Sequence, residues 1–240
     1  MNLRKKLGCA LSIIGISLPG FAMADLYVYG FSDFNSSNGL NITTSSGDFF
    51  VPISDSGWWD GLFFHDDTNK NYFAGHATSI ADQGEHNNYF TFDLSGISGT
   101  ITTASFNLFT YTVAGSSVDY QLFDVTSPLS EVHATGTNAS VYDDLMSGVS
   151  YGSFIYNSSD SGQFRSILLN TDGISALNSA IGGEFGIGGA VTGGIEGPPS
   201  PIPEPETYAM WLAGLGLLGF FGYRRKAKTS IYSSASYTTH

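Results

Sequence analysis

Tyr89-Phe90-Thr91-Phe92-Asp93-Leu94 alternates large apolar side chains with small or charged ones. Successive side chains of a strand point to opposite faces, so Phe90, Phe92 and Leu94 share one face while Thr91 and Asp93 share the other. The spacing predicts a β-strand whose phenylalanine face lies in the core. Comparable runs, rich in aromatic and β-branched residues, recur between Gly, Ser, Asn and Asp turns at 26–31, 48–53, 61–65, 71–74, 88–94, 100–113, 118–125, 150–156 and 164–170. So many strands without intervening helical patterns predict an all-β body, a single antiparallel β-sandwich of the jelly-roll kind. One helix is expected, over 171–181. Thr171-Asp172 offers a cap, Ile174, Leu177 and Ile181 recur at helical spacing, and Gly182-Gly183 stops it. A last run, 184–191, returns as a strand.

Working outward, the body spans 25–194, about 170 residues, enough for one domain with a sizeable core. Residues 1–24 have the three parts of a secretory leader. Arg4, Lys5 and Lys6 make a charged start, 7–18 is apolar, and Ala22-Met23-Ala24 is a small-x-small site that places cleavage between Ala24 and Asp25. The sole cysteine, Cys9, leaves with the leader. Disulfides, thiol catalysis and cysteine metal sites are thereby excluded from the mature body.

After the body, 195–206 is a proline-rich linker containing Pro203-Glu204-Pro205, and 207–223 is apolar and uncharged. As a helix that run would be about 25 Å long, near the lower limit for crossing a bilayer. Its glycines are tolerated in lipid, where the backbone has no alternative hydrogen-bond partners. Arg224, Arg225 and Lys226 then mark the cytoplasmic side, so 224–240 is a basic stop with a cytoplasmic tail and the body lies outside the cytoplasm. A buried core helix fits poorly beside an Arg-Arg-Lys stop. A lipid-anchor signal would end on the apolar tail. A plain, uncut single-pass anchor remains the alternative.

The order Pro-Glu-Pro, short apolar run, Arg-rich stop resembles the PEP-CTERM sorting signal of exported bacterial proteins, over 202–226. The resemblance implies recognition by exosortase, an integral-membrane peptidase that cuts near the motif. It implies inner-membrane anchoring first, and cell-surface or extracellular placement after processing. Phe92-Asp93-Leu94-Ser95-Gly96, Gln121-Leu122-Phe123-Asp124-Val125 and Phe185-Gly186-Ile187-Gly188-Gly189 resemble a body type carried by such signals, to which no activity attaches.

Charge narrows the partners. Of nine Lys and Arg, only Lys70 and Arg165 lie between the leader and the motif, against most of the 21 carboxylates. A body this acidic repels nucleic acid and anionic lipid. The same carboxylates raise calcium as a partner. Asp67, Asn69 and Asn71 begin like an EF-hand loop, but Tyr72 stands where glycine is required and Thr78 where glutamate is, which leaves a calcium-stabilised β loop at Asp66, Asp67 and Asn69 against a plain polar turn.

Candidate catalytic sets are thin. His76, Asp82, Glu85 and His86 fall close together, and Glu131 and His133 would share a strand face, but no partner set completes either group. No Gly-x-Ser-x-Gly elbow, phosphate loop or paired zinc spacing occurs in the body. The expectation is a non-enzymatic structural or interaction protein of the envelope or extracellular matrix. A matrix-sugar hydrolase would need two opposed carboxylates. The stronger alternative is an exopolysaccharide-binding module. Trp58 and Trp59 occupy adjacent strand positions, so one indole would face outward as a stacking surface for a sugar ring.

Overall fold

The computed structural model describes residues 24–31, 37–78 and 83–195. The leader up to Met23, the linker from 196, the apolar run 207–223 and the basic stop lie outside them. In chain order the body forms β1 (Leu26–Phe31), β2 (Gly39–Thr44), β3 (Gly47–Pro52), β4 (Asp55–Asp60), β5 (Phe64–His65), β6 (Asn71–Ala77) and β7 (Gly84–Asp93). It continues with β8 (Ile101–Thr110), β9 (Thr112–Ala114), β10 (Ser117–Asp124), α1 (Leu129–Val132), β11 (Gly136–Thr137) and α2 (Ala139–Asp144). Then come β12 (Ser150–Tyr156), β13 (Gln163–Leu168), α3 (Thr171–Ala180) and β14 (Glu184–Ile195).

The body is mostly β, built of antiparallel sheets, as the alternation predicts. The larger sheet runs β12-β10-β14-β7-β6-β1-β9, with β4 also paired to β7. One edge of β7 is shared end to end: β6 pairs with it near Gly84 and His86, and β14 pairs along Asn88–Asp93. The opposite edge carries β4 from His86 to Thr91. A strand pairing with three others cannot lie in a flat ribbon, and the sheet curls into a half-barrel. A smaller sheet, β13-β8-β2-β3, covers its hollow face, and β5 and β11 make a separate short pair.

The main core fills the space between the sheets. Phe90 and Phe92 of β7 meet Phe106 of β8 at ring separations of 4.8 and 5.6 Å, in tilted or edge-on geometry favoured by the ring quadrupole. Leu40, Ile42, Val51, Ala104 and Leu108 of the smaller sheet, with Val118, Tyr120 and Leu122 of β10, complete it. The face opposite the phenylalanines is covered as well: Thr91 is buried, as are Tyr89 and Asn87. The reason is a second layer. Val132 of α1 and Val141, Tyr142 and Leu145 at α2 pack with Trp59 and Tyr89 on the outer side of the half-barrel. Of that face only Glu85 and Asp93, toward the two ends of the strand, are exposed.

Glycines in β14 make the second layer fit. A Cβ on Gly188 would stand 2.8 Å from the Leu145 Cα, and one on Gly186 would stand 2.8 Å from Leu129 Cδ2. The helix of the sequence reading is present as α3, with Asn170 as cap: its Oδ1 accepts from the Asp172 and Gly173 amides, 3.0 Å each. Asn178 of α3 clips the start of β8, accepting from the Ile101 amide at 2.8 Å and donating to its carbonyl at 3.0 Å. Glu131 and His133 lie in and just after α1 rather than on a strand; Pro128 precedes the turn, where its fixed φ suits a helix start.

Candidate functional site

Trp58 and Trp59 stand on β4 with opposite fates. Trp59 is 1% exposed. Its indole N–H donates to the Val132 carbonyl at 3.1 Å, and its ring stacks on His65 at 5.2 Å and 26°. Trp58, half-buried, meets Phe73 and His86 edge-on at 6.2 and 4.8 Å. His86 itself lies flat against Phe73 at 4.1 Å. The pair therefore belongs to two aromatic clusters on the outer side of the half-barrel.

His65 links the first of these to charge. Its Nδ1 stands 2.8 Å from the Trp58 carbonyl, which can only accept, so Nδ1 carries the proton and Nε2 receives the Tyr89 hydroxyl at 3.2 Å. Burial pushes the His65 pKa below its ordinary value. Burial, reinforced by Asp55 and Asp67, pushes the Tyr89 hydroxyl far up. Asp55 pairs with Lys70 at 2.8 Å and approaches His133 Nε2 at 3.8 Å. Each of these groups is engaged in holding the others, and the arrangement fixes β4, β5 and α1 together.

The acidic turn uses its oxygens internally. Asp66 Oδ1 accepts from the Thr68 amide at 3.0 Å and hydroxyl at 2.7 Å, and these bonds, the hydroxyl first, hold its carboxyl below the usual range. Asp67 accepts from the Thr135 hydroxyl at 2.6 Å, and Asn69 from the Asn71 amide at 3.2 Å. Among the described residues no three His, Cys, Asp or Glu side chains gather as a metal would require. His76 Nδ1 stands 2.9 Å from Glu85 Oε1, while Asp82 lies outside the described residues.

A cleft that the sequence reading missed lies on the outer face of the smaller sheet. The register places Phe50, Asn41, Ser105 and Leu168 in one row across β3, β2, β8 and β13, with Asp48, Thr43 and Thr103 in the row beside it. Phe50 (45% exposed) and Leu168 (71%) stand at opposite ends of the row, three strand spacings or roughly 14 Å apart. Between them is a cleft of about 480 Å³ with an amide and hydroxyl floor. The Phe50 ring lies over Gly39, whose absent side chain leaves room for it: a Cβ there would be 2.8 Å from Phe50 Cζ. The alternation Leu40-Asn41-Ile42-Thr43, inside then outside, is the signal in the sequence that marks this strand.

Beyond the body, residues 201–226 match the PEP-CTERM protein-sorting motif. That interval contains Pro203, Glu204 and Pro205 and the basic stop Arg224, Arg225 and Lys226. The motif indicates an exported protein sorted to the cell surface and implies processing by exosortase. No curated protein and no solved structure matches it. Among the described residues no helix is long and apolar enough to cross a membrane; the run 207–223 is not among them.

Proposed function

We propose that this is a cell-envelope or extracellular-matrix protein whose jelly-roll-like sandwich body serves as a structural or interaction module and performs no catalysis. In the precursor, 207–223 spans the inner membrane, Arg224, Arg225 and Lys226 face the cytoplasm, and the body stands outside until exosortase releases it. The observation that carries the reading is the sorting motif at 201–226, which begins six residues after the last strand ends at Ile195. Folded body and address are thus joined by a tether too short for another domain. Protease added to spheroplasts tests the topology. The expected result is digestion of the body with a small membrane-protected fragment carrying 224–240; a body that survives until the membrane is dissolved would refute it.

The cleft on the smaller sheet favours a second reading, a glycan-binding module for neutral exopolysaccharide. A flat ring such as Phe50 offers an apolar face to a sugar, and Asn41, Thr43, Thr103 and Ser105 supply donors and acceptors for hydroxyls. With Trp59 committed to the core, Phe50 is the better stacking surface, and Trp58 the second. Calcium held near Asp66, Asp67 and Asn69 would have to displace the bonds from Thr68 and Thr135. Affinity electrophoresis through the native polysaccharide should show retardation that Phe50→Ala removes and Trp58→Ala leaves largely intact. Equal mobility of all three proteins with and without polysaccharide would end this reading.

A further inference from the structure

The most unusual surface of the body is the turn after β4. Leu62, Phe63 and Phe64 are 80%, 40% and 42% exposed, three large apolar side chains in succession. Phe63 has a φ of 65°, the sole non-glycine positive value among the described residues. That conformation is costly for a bulky side chain and persists only when its surroundings impose it. They do so here. The Phe63 amide donates to the Asp60 carbonyl at 2.8 Å, its carbonyl accepts from the Asn138 amide at 2.9 Å, and its ring packs on Tyr142 at 5.4 Å. Asp60 Oδ1 accepts from the Leu62 and Phe64 amides, 2.9 Å each. The tip is thus a rigid apolar projection, fixed from beneath.

Its place in the fold says what it meets. β4 runs antiparallel to β7 and ends opposite His86, and the Gly61 amide bonds the Glu85 carbonyl at 2.7 Å, so the tip caps the N-terminal end of β7. β14 also runs antiparallel to β7 toward that end. Ala24 and Leu26 at the start of the body, His76 and Glu85, and Val191 to Gly193 near the end of β14 all line one small cavity there. The chain therefore enters and leaves the body at one pole, two to three strand spacings, roughly 10–15 Å, from the apolar tip. From Ile195, eleven residues lead to the apolar run at 207, an extended reach of at most about 40 Å.

We propose that this pole faces the bilayer in the anchored precursor, and that Leu62, Phe63 and Phe64 insert into the lipid headgroup region as a second, shallow contact. The contact rests on the anchoring proposed above. It is apolar rather than electrostatic: Asp60 and Glu85 flank the tip, and neither Lys70 nor Arg165 stands on the turn. Its consequence is orientation. The body is held with one end on the membrane, the linker lies beside the surface where a membrane peptidase works, and the cleft on the smaller sheet is left clear.

The mature chain has no cysteine, so a single Leu62→Cys substitution can carry an environment-sensitive nitrobenzoxadiazole label; Ser98→Cys, an exposed position beyond the other end of β7, is the control. The leader-free but uncut chain, 25–240, is reconstituted in phosphatidylethanolamine–phosphatidylglycerol vesicles with lipids spin-labelled near the headgroup. The expected result is at least twofold greater quenching at 62 than at 98, abolished by Phe64→Ser. Equal quenching at both positions in protein that remains with the vesicles overturns the tip contact alone. Blue-shifted emission at 62 without lipid quenching overturns it too, assigning the tip to 207–223 or a second copy. Protein that does not partition with vesicles overturns the anchoring reading and this one together.

Discussion

Single side chains on the outer side of the half-barrel do structural work that their chemistry disguises. Trp59 fills the second core cluster and satisfies the Val132 carbonyl, so Trp59→Phe removes a buried donor as well as volume. The expected loss is about 1–3 kcal/mol, read as a lower urea midpoint with an unchanged slope, whereas Trp58→Phe costs less. His65 makes stability depend on pH. Its pKa is lower folded than unfolded, so its neutral form contributes fully above the unfolded value near 6.5, and the contribution is lost as pH falls below that. The urea midpoint should decline between pH 7 and 5, and His65→Asn should give a lower midpoint with a shallower decline over that window. At this scale the sequence was half legible. Adjacent tryptophans on a strand point opposite ways, but only the long-range approach of α1, 73 residues away, says that Trp59 is the covered one.

Elements were legible where both signals were local. β1 and β12 stand at the residues their alternation predicts, and α3 differs from its expected span by one residue at its end. β4 is legible at Trp58 and Trp59 but not in its extent, because Asp55, Gly57 and Asp60 have low strand preference; pairing with β7 along six residues overrides it. α2 was missed because its six residues are too few for a helical period, and its existence depends on the Asn138 cap and the glycines of β14 that let Leu145 approach. The phrase Phe185-Gly186-Ile187-Gly188-Gly189 thereby has a physical basis. Gly189 faces the Tyr120 hydroxyl, which donates to Asn88 Oδ1 at 2.9 Å across the sheet, and a methyl group would collide with both partners. Gly189→Ala should destabilise by about 1–3 kcal/mol or prevent folding, and Gly183→Ala, which meets only the Ala180 carbonyl at 3.7 Å, should be nearly neutral. Thermal melts of the two variants side by side check this.

For the whole molecule, the class of fold was legible from alternation, and the address from the ends. The order of strands was not, since pairing partners such as β1 with β6 and β9, or β5 with β11, lie far apart in sequence. The cleft follows from that order, because its four walls and floor come from four strands. The buried tyrosines give the assembled body a further property. Tyr72, Tyr120 and Tyr156 are held above their ordinary pKa by burial, so their stabilising neutral form is fully present below pH 10 and is lost as pH rises beyond it. Absorbance at the tyrosinate band should therefore rise in two stages, exposed rings first and the buried set only with loss of folded structure; a single stage with the fold intact would show the core to be open.

The account depends most on export followed by cutting at the sorting motif. Intact-mass analysis of the protein isolated from its own cells tests this directly. The predicted species begins at Asp25 and ends near Glu204-Pro205. A mature chain that still carries Arg224 to His240, or one that retains the leader from Met1, would contradict it.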